Sequence, residues 1–211
     1  MNENEQAIQL KKLLHIIFGK DESISYVIGR RDFKGKQPVK VCMYSNDQEA
    51  LIIAAQKSLQ PFTSYLISSS SKAIWGSSPY YLGSVSIIDR YHQTTGLSVS
   101  ANSDLTINTS IRLKYFHDQK IIHCHLPPTD GVYFSLDNPN IAPDEKHIIL
   151  KSTDLCIDHS RIKLRFEYED RLSFLFEQTH NDEFTLQISY PFSIFQAFVV
   201  VLFILNVCEE F

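Results

Sequence analysis

Apolar residues in this chain fall in short runs between turn formers, and the pattern changes only near its two ends. Near the start, Ala7, Ile8, Leu10, Leu13, Leu14, Ile17 and Phe18 recur at three-to-four spacing, and Gly19 suits a stop, so a short helix is predicted. Beyond it, runs at 51–55, 64–68, 80–88, 111–115, 120–126, 132–136, 147–151, 161–168, 172–176 and 184–190 read as strands. Their breaks hold Asn46-Asp47, the serines at 68–71, Gly76, Gly96, Pro127-Pro128, Asn138-Pro139 and Asn181-Asp182. Many strands with no helices between them predict an all-β sandwich or barrel. There is no internal repeat, and the serine run is too short for a linker.

The other end differs. From Phe192 to Val207, thirteen of sixteen residues are apolar, interrupted by Ser193, Gln196 and Asn206. Three readings compete. A transmembrane helix of this length spans only about 24 Å, short of a hydrocarbon core of roughly 30 Å. No Lys or Arg flanks its far end, where Glu209, Glu210 and Phe211 follow. A strand of sixteen residues is too long, although the triple valine at 199–201 is a poor helix former. A helix that is apolar on every side because protein surrounds it meets both objections. A closed barrel needs a filled interior, and such a helix supplies the filling.

Composition narrows the function classes. Of 211 residues, 44% are hydrophobic and 21% charged, which excludes wholesale disorder. Lys and Arg number 20 against 24 Asp and Glu, a net charge of -4, so the chain is no polycation built for nucleic acid. The four cysteines, Cys42, Cys124, Cys156 and Cys208, show neither CxxC pairs nor framework spacing. The first residues contain no signal-peptide run, so a cytoplasmic setting with reduced thiols is expected.

The segment EFTLQISYPFSIFQAF at 183–198 resembles the last strand and central helix of tubby-like proteins, where Tyr-Pro leads into a helix containing Gln-Ala-Phe. In matching order, VIGRRDFKG at 27–35 is similar to the family's first strand and its turn, and LIIAAQKSLQPFTSYLIS at 51–68 to a strand, basic loop and strand. YYLGSVSI at 80–87 and YFHDQKIIHCHLPP at 115–128 follow. The likeness runs from about residue 24 to 211. It implies a twelve-stranded antiparallel barrel around a buried helix at about 192–208, with residues 1–23 as an N-terminal helical extension. It also implies a non-enzymatic adaptor, with no cofactor, that binds phosphoinositide headgroups peripherally at the plasma or ciliary membrane and links them to protein cargo or a trafficking partner. The short apolar run and the net charge of -4, for their part, lead us to expect neither a transmembrane protein nor a nucleic-acid partner.

Departures from the family pattern bear on the lipid site. Its dense Arg/Lys loop is here Gln56, Lys57, Ser58, Leu59 and Gln60, and the arginine expected after Gly83 is replaced by Ser84, Val85 and Ser86. One lysine is a point charge against a multiply charged bisphosphate, so a degenerate headgroup site is expected. The alternative is a protein-interaction barrel that has lost lipid binding. The family's Asn-Phe-x-Gly-Arg strand also has no clear counterpart around 153–159, where a strand is expected to be lost or rebuilt. Two other basic groups are candidates for anion contact. Arg30, Arg31, Lys34, Lys36 and Lys40 crowd one turn, and with Lys57 they form the candidate lipid surface. Arg161, Lys163 and Arg165 alternate with apolar residues and so share one strand face.

Catalytic and metal motifs are scarce. His123 and His125 share a strand face with His117 nearby, a two-ligand start without a third ligand at characteristic spacing. GxSxG, HExxH, P-loop and GxGxxG patterns are absent. Cys156 near His159 is too little for a dyad, and the acidic pairs Asp144-Glu145 and Asp182-Glu183 sit in turns. The composite expectation is a binding protein, not an enzyme.

Overall fold

The computed structural model describes residues 13–14, 17–31, 40–58, 64–72, 74–75, 78–89, 93–97, 111–116, 119–126, 148–158 and 161–208. It is mainly β, an antiparallel sheet with one C-terminal helix. The strands are β1 (Ser23–Arg31), β2 (Lys40–Ser45), β3 (Leu51–Lys57), β4 (Ser64–Ser68), β5 (Tyr81–Asp89) and β6 (Gln93–Leu97). They continue as β7 (Ile111–Phe116), β8 (Ile121–Leu126), β9 (Ile148–Asp158), β10 (Arg161–Tyr168), β11 (Arg171–His180) and β12 (Glu183–Ser189). The helix is α1 (Ile194–Cys208).

Each strand pairs with its neighbour in the chain, and β1 also pairs with β12, Ile28 standing opposite Phe184. The pairing order therefore returns to its start as a closed barrel. Alternation sets the two faces. On β8, Ile122, Cys124 and Leu126 are buried between less buried neighbours, and Ile162, Leu164 and Phe166 do the same on β10. The inward residues of β12, Phe184, Leu186 and Ile188, complete this wall. Because side chains alternate with period two, the intervening residues face out.

The helix fills the inside. Every residue from Phe195 to Val207 is buried, and each large apolar side chain withdrawn from water contributes about 1.5–3 kcal/mol before entropy. The three polar interruptions have partners. The Gln196 N–H donates to Ser193 Oγ at 3.3 Å, and the Ser193 N–H donates to Gln196 Oε1 at 2.9 Å. This reciprocal capping box answers two of the N–H groups that a helix start leaves unpaired. Asn206, near the other end, accepts from Lys57 Nζ at 3.4 Å. Below the helix start, Phe192 packs between Phe166 and Phe174, with ring centroids 6.2 and 5.4 Å away.

The segment before β1 closes this end. Leu14 is 1% exposed and belongs to the main core, while Ile17 bridges to Ser193. Lys20 pairs with Glu169 at 2.8 Å, and Arg171 with Asp21 at 2.7 Å. Leu13 and Leu14 are helical; the rest of the predicted N-terminal helix lies outside the described residues, as does the predicted strand at 132–136.

Of the two outcomes expected around 153–159, the strand is not lost: β9 runs eleven residues from Ile148 to Asp158, and its register against β10 shifts between the partners of Arg165 and Phe166. Three strands that the pattern did not predict, β1, β2 and β6, are present, of which the family resemblance pointed only to β1. On β2, Val41, Cys42 and Met43 are all buried. The loop after β4 lays Ile74 against Cys42 and Ala54, forming a small second core on the outside of the wall. A strand covered on both faces loses its alternation.

Candidate functional site

Helix α1 ends where β3 and β7 end, and Lys57 belongs to this mouth. Its ammonium donates to Asn206, which is 4% exposed. The last turn of α1 carries no basic residue of its own, so Lys57 supplies the positive charge that the carbonyl end of a helix favours. The lysine expected to grip a headgroup is thus bonded to the central helix.

The other predicted lipid residues separate by register. Arg30 pairs with Val41, which faces the core, and its N–H donates to the Asp182 carbonyl at 2.8 Å. Arg31 pairs with Lys40, and Lys40 with Gln56. Lys57, one residue beyond Gln56, occupies the alternate row, so the backbone places Arg31 and Lys57 on opposite faces of the sheet. Lys40 Nζ donates to the Ser71 carbonyl at 3.2 Å. The Arg31 side chain, Lys34 and Lys36 lie outside the described residues.

The β10 stripe is where expected but electrically answered. Arg161 pairs with Glu177 at 2.6 Å, Lys163 with Asp154 at 2.7 Å and Arg165 with Glu167 at 2.5 Å. Hydrogen bonding and attraction by Glu177 hold the Arg161 guanidinium above its ordinary range. Three cations met by three carboxylates offer little pull on an anionic surface. The alternation was legible in the sequence; the partners on β9 and β11 depend on register.

Register also builds a group that the sequence does not display. Lys114 stands opposite His123, and His123 opposite Lys151, across β7, β8 and β9. Burial, then Lys151, then Lys114, hold the His123 imidazole below its ordinary range. Its ring lies 4.6 Å from that of Phe116.

The metal and catalytic candidates do not gather. His123 and His125 share the outward face of β8, and no group of three metal-ligating side chains occurs among the described residues. His117, His159 and Asp144-Glu145 lie outside them. Cys124 points inward, and burial raises its thiol well above the ordinary range. Burial likewise pushes Tyr26 up to about 12. Around Asp182 and Glu183, Gln178 Nε2 donates to the Asn181 carbonyl and Thr179 Oγ1 to the Glu183 carbonyl, which fits the role of a hairpin turn. The serine run is a loop, held by bonds from Ser68 Oγ to the Tyr80 carbonyl and from the Ser70 N–H to Ser68 Oγ. Trp75, 51% exposed, stands on it.

Among the described residues, no helix is long and apolar enough to cross a membrane. Compared with known proteins, the sequence matches no family model, and no curated protein matches it.

Proposed function

We propose that this chain is a non-enzymatic binding module of the tubby-like kind, an adaptor that meets phosphoinositide-bearing membranes peripherally through a degenerate headgroup site. The observation that carries the reading is the barrel wound around a helix that is buried from Phe195 to Val207. With the interior occupied by the chain's own helix, recognition falls to the rim and the outer faces. The cation-rich stretch from Arg30 to Lys40 is the remaining candidate for headgroup contact, with Lys57 contributing less because it already serves Asn206. The same Lys57 contact favours a second reading, a protein-interaction barrel that has given up lipid binding.

Sedimentation with neutral vesicles and with vesicles containing phosphatidylinositol bisphosphate separates the two. The first reading expects extra pelleting with the phosphoinositide, its affinity reduced roughly thirtyfold by the Arg31→Ala/Lys34→Ala pair, since each cation near an anionic leaflet contributes about 1 kcal/mol. Equal pelleting on both vesicle types, or no effect of the pair, overturns it in favour of the second.

A further inference from the structure

The outer face of β7–β9 carries a cationic row with apolar flanks. Neighbouring strands lie about 4.8 Å apart, so Lys114 and Lys151 flank His123 at a separation of about 10 Å between their backbones. Both ammonium groups ride on flexible stems, and neither forms an ion pair among the described residues. Towards the β7–β8 turn the row is bounded by Phe116 opposite Ile121, and the Lys114 Nζ lies 4.7 Å from the Phe116 ring centroid. On the other side Ile149, 54% exposed, stands opposite His125. The proton affinity of His123 is lowered first by its partial burial and then by Lys151 and Lys114 on either side of it.

An isolated exposed isoleucine is ordinary, and so is a surface lysine. A row of cations in register, with Phe116 and Ile121 on one side, Ile149 beside His125 on the other, and no carboxylate paired with either lysine among the described residues, has the composition complementary to an acidic segment that also carries aliphatic residues. We propose that the outer face of β7–β9 docks an acidic, aliphatic-bearing segment of a partner polypeptide, with its carboxylates on Lys114 and Lys151 and an apolar side chain against Ile149. A peptide suits this face better than a bilayer. The row is short, and a flat anionic sheet would extend past it towards Asp154 and the other carboxylates of a chain of net charge -4. The inference does not depend on the headgroup reading, which concerns the stretch from Arg30 to Lys40.

The test uses a fluorescein-labelled synthetic peptide of Glu, Asp and Leu, followed by anisotropy at low salt with the full chain. Binding is expected, weakened about tenfold or more by Lys114→Glu/Lys151→Glu and about threefold by Ile149→Ser. Lys72→Glu, on the loop after β4, leaves it unchanged. Where the double Glu variant fails to melt cooperatively, Lys114→Gln/Lys151→Gln serves, and the same order of effects is expected. Undiminished peptide binding in the folded double variant overturns the proposal. So does a double variant that loses binding to phosphatidylserine vesicles while keeping the peptide, which would make the face a membrane contact. Phosphoinositide sedimentation of Arg31→Ala/Lys34→Ala reports on the other reading alone, so the two can fail separately.

Discussion

Inside the barrel, Ser193, Gln196 and Asn206 interrupt an apolar helix, and each has a hydrogen-bond partner. Outside, on β7–β9, Lys114, His123 and Lys151 stand in one row and no carboxylate pairs with either lysine among the described residues. The outer face of β9–β11 lies between these extremes, with three cations and three paired carboxylates. Polar groups that are answered inside the fold serve the fold, because leaving one buried and unpaired is expensive. Charges that the fold leaves unanswered on the surface cost little in water and remain available to a partner.

The sharpest way to break this comparison is through the helix. Phe198 is fully buried, so Phe198→Ala should lower stability by about 3–5 kcal/mol, read from the urea midpoint. A loss under about 1 kcal/mol would mean that the helix is not packed as described. A smaller effect sharpens the contrast between lysines. Lys57→Ala should cost about 1 kcal/mol through the bond to Asn206 and the helix end, whereas Lys151→Ala should change stability by no more than about 0.5 kcal/mol. Equal effects would erase the distinction between an answered and an unanswered cation.

The smallest effect is in pH. The proton affinity of His123 is lower in the folded chain than the ordinary value of 6.5. As pH falls through 6.5 towards the folded value, the unfolded chain takes up the proton first. Stability therefore falls with acidification in that window and is restored above it. The difference between wild type and His123→Gln, measured by melting from pH 7.5 downwards, should show this slope. No difference would remove the effect of burial on His123, and with it the field of Lys151 and Lys114.

Much of the fold was legible because the periods were clean. The apolar run at the C-terminus exposed no polar face, and β8, β10 and β12 alternate in the sequence as they do in burial. β2 was hidden because Ile74 covers its outer side and makes Val41, Cys42 and Met43 all apolar. β6, QTTGL, carries too little apolar signal to stand out. The site was less legible. That Arg161, Lys163 and Arg165 share a face follows from period two, but Glu177 and Asp154 reach them only through register, and so does the assembly of Lys114, His123 and Lys151. Residues 37 positions apart in the chain give no sign that strand pairing will align them.

Hydrogen exchange of the α1 amides, in aqueous buffer without detergent or lipid, bears most directly on the central claim. With protein on all sides, the amides of Phe198 to Leu205 should be among the slowest in the chain and should open only with global unfolding. Rapid exchange there, or protection gained only when micelles are added, would contradict a helix enclosed by the barrel.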